Sequence, residues 1–257
     1  MDVLAFDIGN TRLKSGWYSD GTITASFSIS QFDLKTGSGW DNLTLRLSQI
    51  VPDMMSPGFI GCASVVPEVT KTFLDWKSKV FPDWRLTSVS AGTYPYKIDY
   101  LPASSVGADR LADALAGFMQ FGGPIVVVDF GTATTLNVVD KAGTFLGGVI
   151  APGARLMAKA LEHGTSQLPP VEIVFPREVI GRSTKEAIEA AITFGQIEMI
   201  DGLIDRIVKS LGAPVRAIAT GGRGELFSTM SRNISIYRPT LTLEGVAMHA
   251  LLRGNGK

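Results

Sequence analysis

Two short polar stretches, each at the end of an apolar run, hold the residues best suited to chemistry. "VLAFDIGNTRLK" leads an apolar strand into Asp7, Gly9 and Thr11, and "PIVVVDFGTATT" does the same at Asp129, 122 residues after Asp7. A glycine just past a strand lets backbone N–H groups approach phosphate oxygens, and threonine or asparagine adds donors without negative charge. Each stretch therefore predicts a phosphate-binding turn.

The aspartate of each stretch predicts a cation beside the phosphates. A carboxylate cannot face phosphate directly because like charges repel, so we expect it to hold a cation directly or through water. Lys14 could add a point charge to the same site. The alternative is that Asp7 and Asp129 only end their strands with side-chain-to-backbone turns. The repetition of the whole pattern favours the nucleotide interpretation.

A third loop, "ATGGRGELF", also follows a predicted strand. Its paired glycines, Gly221 and Gly222, would let the backbone lie flat against an adenine or ribose, although an ordinary turn is the alternative.

Two similar halves are predicted to position these loops. The first half contains a strand, a hairpin around Asp20-Gly21, a helix, a further strand and a helix with Pro67 near its start. The second half repeats the strand and hairpin, with the hairpin around Ala142-Gly143, and continues into long helices. We predict an α/β fold of two halves, 1–122 and 123–257, with mixed central sheets flanked by helices and the site in the cleft between them.

The segment "SSVGADRLADALAGFMQFGG" predicts an amphipathic helix between the halves. Ser104 or Ser105 is expected to cap it, and Asp109 and Arg110 then fall in its first turn.

A second, unusually long helix is predicted over "STKEAIEAAITFGQIEMIDGLIDRIVKSLG". Ser183 and Glu186 form a capping-box pattern at its start. Gly195 and Gly202 lie inside it, and each costs about 1 kcal/mol of helix propensity relative to alanine. They predict close helix packing, a kink or a break.

The composition excludes several classes of partner. The 257 residues include 24 Lys plus Arg and 24 Asp plus Glu, so no overall basic field would gather nucleic acid or an anionic membrane. No apolar run approaches the roughly 18 to 20 residues needed to span a bilayer. We expect a cytoplasmic protein with a small-molecule partner, in which the single cysteine, Cys62, packs as a small apolar group.

Four segments in this order resemble the type III pantothenate kinases. They are "DIGNT" at 7–11, "GADR" at 107–110, "DFGTATT" at 129–135 and "TGG" at 220–222, and "ASVVPEVT" at 63–70 and "GGVIAPG" at 147–153 are also similar. The resemblance implies two ribonuclease-H-like halves, as in acetate and sugar kinases, Hsp70 and actin. It also implies transfer of the ATP γ-phosphate to pantothenate, the first step toward coenzyme A.

The resemblance also assigns roles to residues. Those implied for ATP are Asp7, Ile8, Gly9, Asn10, Thr11, Arg12, Leu13, Lys14 and Thr132. The paired glycines of the third loop, Gly221 and Gly222, are also predicted to contact ATP. Asp129 would coordinate a monovalent cation such as potassium or ammonium, magnesium would accompany ATP, and Asp109 would be the general base. The pantothenate pocket, assembled at a homodimer interface, would be lined by Tyr100, Gly107, Ala108, Asp109, Arg110 and Thr184.

Elementary chemistry supports two of these roles independently. Phosphoryl transfer needs a carboxylate placed to accept the substrate hydroxyl proton, and Asp109 fits. Its position in a first helical turn beside an arginine should lower its pKa. Arg110 suits the pantothenate carboxylate, although a solvated or ion-paired side chain is the alternative. Tyr100 could equally be partly buried core, and threonine is ordinary at a position such as Thr184.

One departure from the family precedes the "GADR" segment. Many family members have an Asn-Pro step shortly before "GADR", whereas here Leu101-Pro102 stands one residue earlier. His163 is expected on a loop near the site. His249 is expected to be packed or interfacial.

Three rival functions share much of this pattern. A ribonuclease-H-like nuclease would also gather aspartates at strand ends around two metals, but the balanced charge and threonine-rich turns argue against it. A sugar or acetate kinase would keep the fold and change the acceptor. A regulatory nucleotide-binding protein would lack turnover, and the joint presence of Asp7, Asp109 and Asp129 argues against that.

Overall fold

The computed structural model describes residues 1–35, 38–56 and 58–254, which form two compact units. Unit 1 contains Met1–Phe121, Ala142–Gly147 and the segment from Thr240 onward, whereas unit 2 contains Gly122–Lys141 and Gly148–Pro239. The expected boundary after residue 122 lies one residue from the end of the first segment of unit 1. The C-terminal segment groups with unit 1.

The strands form two five-stranded sheets with the same internal order. The strands are β1 Val3–Ile8, β2 Arg12–Ser19, β3 Thr22–Ser30, β4 Phe59–Ser64, β5 Arg85–Ser88, β6 Ile125–Phe130, β7 Ala133–Val139, β8 Phe145–Pro152, β9 Arg216–Thr220 and β10 Ile234–Tyr237. The first sheet runs β3-β2-β1-β4-β5 and the second β8-β7-β6-β9-β10. In each, the central strand is antiparallel to the next strand in sequence and parallel to the strand on its other side. The prediction of two similar halves with mixed sheets is confirmed.

Helices flank these sheets. They are α1 Gln31–Leu34, α2 Gly39–Leu47, α3 Pro67–Val80, α4 Ala108–Phe121, α5 Ala154–Gly164, α6 Thr184–Leu211, α7 Gly224–Ser228 and α8 Leu241–Gly254. None of the helices in the described part of the chain is long and apolar enough to cross a membrane.

The central strands are the most buried elements because both faces of each sheet are covered. All six residues of β1 are buried, and Phe6 packs edge-on against Phe73 of α3, with ring centroids 4.9 Å apart. The hairpin between β2 and β3 turns at Asp20 and Gly21, which both have positive φ, as the sequence predicted. Cys62 is buried, and burial raises the pKa of its thiol to about 12.

The C-terminal helix α8 holds α4 against the first sheet. A Cβ on Gly245 would overlap the carbonyl of Ala112, and a Cβ on Gly61 would lie 2.8 Å from Val246 Cγ1, so only glycine permits these approaches. His249, which is fully buried, and Arg253 both donate to the carbonyl of Thr93. The prediction that His249 is packed is confirmed. Burial lowers its pKa.

The helix start predicted at Ser104 or Ser105 was wrong. Residues Ala103–Ser105 form a single 3-10 turn, in which Ser105 Oγ donates to the carbonyl of Pro102 at 2.8 Å instead of capping α4. The chain then passes Val106 in an extended conformation, and α4 begins at Ala108. Asp109 nevertheless lies in the first turn, as predicted.

The long helix α6 is continuous. Half of its predicted capping box is present, because Ser183 Oγ accepts from the Glu186 N–H at 3.2 Å. Glu186 Oε2 accepts at 2.8 Å from the N–H of Arg182, one residue before the N-cap, and not from that of Ser183. The helix passes through Gly195 and Gly202 without interruption, and a Cβ at either would meet no atom within 4 Å. The predictions of a break and of close packing were wrong.

Replacing Gly202 by alanine should therefore stabilise the protein. The added methyl group meets no neighbour, and alanine gains about 1 kcal/mol of helix propensity. The free energy of unfolding, measured by urea titration, should rise by that amount. Gly212→Ala is the matched control: Gly212 has φ +62 at the end of α6, and this substitution should lower stability. A Gly202→Ala protein no more stable than the parent would contradict the prediction.

Candidate active site

The first turn joins β1 to β2 and places Asp7 beside Lys14. The two residues are cross-strand partners, and Lys14 Nζ lies 3.2 Å from Asp7 Oδ2. Asp7 is only 6% exposed, so the ammonium compensates a carboxylate that has lost most of its water. The structure thus places the positive charge of Lys14 beside Asp7.

The other residues predicted in this turn divide by exposure. Ile8 and Leu13 are fully buried in the core, so only their backbone could reach a ligand. Asn10 and Thr11 are exposed. Arg12 is directed to β3, where its Nε donates to Ser28 Oγ at 2.8 Å.

The second turn lies at the end of β6 in unit 2. Gly131 donates its N–H to the carbonyl of Ala133 at 3.1 Å, and the exposed Thr132 accepts from the Gly153 N–H at 3.1 Å through its carbonyl. A Cβ on Gly153 would stand 2.5 Å from the carbonyl oxygens of both Gly131 and Thr132. Gly153 therefore supports this turn. This role was not predicted, although Gly153 ends the "GGVIAPG" segment.

The third loop closes on Asp129. Gly221 has φ +88, and a Cβ there would overlap Asp129 Oδ1. Tyr237 fixes the loop by donating its hydroxyl to the Gly221 carbonyl at 3.1 Å. Gly222 has no atom within 4 Å of a Cβ position. Within unit 2 the structure thus brings Asp129 and the paired glycines together.

Oxygen atoms beside Asp129 fit a hard cation. Thr220 lies opposite Asp129 in the parallel register of β6 and β9, and its buried hydroxyl has no hydrogen-bond partner among the described residues. A carboxylate with a neutral oxygen suits potassium better than a soft metal. Across residues 1–35, 38–56 and 58–254, no group of three or more His, Cys, Asp or Glu side chains could hold a metal ion.

Asp109 lies in the first turn of α4, in contact with Gly107. Its Oδ1 accepts from the Arg110 N–H at 2.8 Å, and a Cβ on Gly107 would lie 2.5 Å from the same oxygen. Burial, followed by the negative charge of Asp7, raises the pKa of Asp109 above its ordinary value. The prediction of a lowered pKa was wrong, because the hydrogen bond and charge of Arg110 are outweighed by lost hydration.

Arg110 is buried among aromatic rings. It is 6% exposed, and its guanidinium carbon lies 5.4 Å from the ring centroid of Phe145 and 5.9 Å from that of Tyr100. The alternative of a solvated side chain was wrong. Aromatic faces favour a cation, so they hold the guanidinium in place.

Tyr100 is positioned by the segment that carries Phe145. The Asp99 N–H donates to the Phe145 carbonyl at 2.8 Å, and Gly147, with φ +99, lets its backbone approach the Tyr100 ring. Within unit 1 the structure thus groups Tyr100, Phe145 and Arg110. Phe145 was missed, since no spacing in the sequence relates it to Arg110.

The remaining predicted residues are placed as follows. Ala108 is buried at the start of α4. Thr184 is exposed at the first position of α6, in unit 2. His163 lies in the last turn of α5 with Nδ1 against the Lys159 carbonyl, so its placement on a loop was wrong.

Solved structures define the class of protein. The fold is similar to that of a Campylobacter jejuni protein assigned to the Baf family of transcriptional activators, with a TM-score of 0.63 and 18% identity over 98% of this chain and 100% of that one. A ROK hexokinase from Thermus thermophilus gives a TM-score of 0.51 and 14% identity over 99% and 100% of the two chains. These likenesses place the chain in the sugar kinase, Hsp70 and actin fold class.

Sequence comparison then defines the family. Residues 3–206 match the type III pantothenate kinase family. A type III pantothenate kinase from Agathobacter rectalis is 35% identical over 249 residues, which cover 95% of each chain. This chain belongs to the type III pantothenate kinase family.

Proposed function

We propose that this protein transfers the γ-phosphate of ATP to pantothenate, giving 4'-phosphopantothenate in the first step of coenzyme A biosynthesis. The observation that carries the proposal is the family match over residues 3–206. The contact of Asp109 with Gly107 and Arg110 in the "GADR" segment supports it.

Asp109 is the general base of the proposed reaction. It takes the proton of the attacking pantothenate hydroxyl as the oxygen approaches the γ-phosphorus. A carboxylate with a raised pKa accepts a proton more readily at neutral pH, so the burial of Asp109 and the nearby charge of Asp7 favour this role.

Arg110 binds the carboxylate of pantothenate. Its guanidinium presents a planar set of donors, which matches the two carboxylate oxygens. The packing of Phe145 and Tyr100 against it lowers the entropy that the side chain loses on binding.

The turn at residues 7–14 and Thr132 bind the phosphates of ATP. Magnesium binds together with ATP, as part of the MgATP substrate. Asp129 and the Thr220 hydroxyl hold a monovalent cation, potassium or ammonium, which supplies positive charge near the phosphates when bound. Gly221 lies close to Asp129, which supports one nucleotide site that contains both residues.

A homodimer is part of the proposal, with Thr184 contributing to the pantothenate pocket. Val179 and Ile180, just before α6, are 65% and 78% exposed. Exposed apolar side chains of this kind favour a protein contact at this end of α6.

The test is ADP release by the purified protein with ATP, magnesium and pantothenate, in potassium and in sodium buffers. Turnover that requires pantothenate and rises in potassium is expected. ADP release without pantothenate would indicate another acceptor or water, and no release in either buffer would overturn the assignment. Comparable turnover in both buffers would count against the cation role of Asp129.

The pH profile should report Asp109. Because burial raises its pKa, kcat/KM for pantothenate at saturating MgATP should fall on the acid side with an apparent pKa above the ordinary aspartate value of about 3.9. Initial rates across a constant-ionic-strength buffer series measure it. Activity that stays level down to pH about 4 would contradict the assignment.

A further inference from the structure

Gln31 lies against the turn at residues 7–14, and no motif in the sequence singles it out. It is the first residue of α1, directly after β3, and is 7% exposed.

Two hydrogen bonds connect Gln31 to that turn. Its side-chain Nε2 donates to the carbonyl of Gly9 at 2.8 Å, and its backbone N–H donates to the carbonyl of Thr11 at 2.9 Å. Two further carbonyls are held by other groups: that of Ile8 accepts from the Val65 N–H at 3.1 Å, and that of Arg12 accepts from the Gly9 N–H at 3.0 Å.

These bonds matter for an anion because a carbonyl oxygen carries partial negative charge. A turn that binds phosphate has to direct N–H groups toward it and keep carbonyl oxygens away. The bonds to Ile8, Thr11 and Arg12 come from backbone donors, which no side-chain substitution removes. The bond to Gly9 comes from a side chain, so this carbonyl depends on the identity of residue 31.

The side-chain oxygen of Gln31 indicates that the turn depends on the Nε2 donor of this amide and not on its acceptor. Its Oε1 is buried and has no hydrogen-bond partner among the described residues. A buried unsatisfied acceptor is costly, and an apolar side chain of similar length would avoid that cost. The cost of this unsatisfied oxygen offsets the stability that the Nε2 bond to the Gly9 carbonyl contributes.

We infer that Gln31 is a positioning residue for ATP: its amide holds the Gly9 carbonyl away from the phosphates, so that the turn at residues 7–14 presents its donors. The inference rests on the proposed function for the identity of the anion. Gln31 acts through the turn and leaves the pantothenate pocket unaffected.

The test compares Gln31→Met and Gln31→Glu with the parent protein. Methionine keeps the length and removes the donor, so the Kd for MgATP by calorimetry and the KM for ATP should both rise about tenfold. Glutamate, once ionised, places a charged acceptor against the Gly9 carbonyl and should weaken ATP binding further. The KM for pantothenate should stay within about twofold of the parent value in both variants.

Gln120→Met is the matched control, because Gln120 Nε2 on α4 donates to Glu244 Oε2 on α8 at 2.6 Å, a bond of the same kind within unit 1. It should lower thermal stability and leave ATP binding unchanged. If Gln31→Met does not fold, the polar Gln31→Glu carries the comparison.

Unchanged ATP binding in the Gln31 variants, or a parallel rise of both KM values, would overturn the inference. Calorimetric measurement of MgATP binding tests the role of Gln31 separately from the proposed function. A protein that binds MgATP without phosphorylating pantothenate would refute that function and still give the Gln31 comparison.

Discussion

Replacing Asp109 by asparagine should lower kcat for pantothenate phosphorylation by about 10²- to 10⁴-fold, the usual contribution of a general base. Asparagine keeps the size and can still accept the Arg110 N–H through its oxygen, but it cannot take up the hydroxyl proton. ATP binding should be largely retained, since Asp109 is not assigned to the nucleotide. Steady-state kinetics and calorimetric titration with MgATP measure the two effects.

The same substitution should not destabilise the protein. A raised pKa means that the folded state binds the proton of Asp109 more tightly than the unfolded state does. Ionised Asp109 therefore lowers stability at any pH above its unfolded pKa, and that cost grows until the pH passes the folded pKa. Asparagine carries no charge, so Asp109→Asn should melt at pH 7 at the parent temperature or above it.

Asp75→Asn is the control for this experiment. Asp75 is exposed on α3, so the variant loses a carboxylate of the same kind outside the proposed site and should keep parent kinetics. Turnover close to the parent rate in Asp109→Asn would remove Asp109 from the role of base.

Replacing Gly221 by alanine should lower kcat/KM for ATP by about 100-fold, because small displacements in a phosphate site are that costly. The backbone at Gly221 has φ +88, where alanine is strained by about 1 to 3 kcal/mol. The new methyl group would also overlap Asp129 Oδ1, so the loop or the carboxylate has to move. Kinetics with ATP as the varied substrate, together with the potassium dependence, measure the effect.

Gly222→Ala controls for the folding part of that effect. A methyl group there meets no atom within 4 Å, and its backbone has no positive φ, so the free energy of unfolding should stay at the parent value. A Gly221→Ala protein with parent stability and parent kcat/KM would show that the loop tolerates a side chain and that its closeness to Asp129 is unimportant.

The sequence was sufficient for the central strand and the hairpin of each sheet because their signals are local, whereas the short edge strands β5 and β10 were not predicted. β1 and β6 are apolar runs ended by Asp-x-Gly, and Asp20-Gly21 is a two-residue hairpin turn. Turn residues and apolar runs act within a few positions, so no knowledge of the rest of the chain was needed.

The electrostatics of Asp109 could not be predicted in the same way. Its neighbours in sequence, Arg110 and the helix start, both favour the charged form. The opposing contributions are burial and the charge of Asp7, which is remote in sequence and is brought near by the packing of unit 1. A pKa set by tertiary contacts is invisible to spacing.

The same limit applies to the residues that support the turns. Gln31 and Gly153 each follow a strand by one position and match no motif for phosphate binding. Their roles depend on tertiary packing, which brings the end of a hairpin or the start of a helix next to a turn that is distant in sequence. Gly202 shows the converse error, because a glycine inside a helix suggested a contact where the structure has open space.

The grouping of α8 with unit 1 has a consequence for biosynthesis on the ribosome. The strands that open unit 1 are made before unit 2, but α8, the helix that covers β1 and β4, is made after it. Until residues 241–254 leave the exit tunnel, the apolar surface around Gly61 lacks its cover. All of unit 2 must therefore be synthesised before α8 is available to unit 1. A premature stop codon before Thr240 would leave that surface exposed.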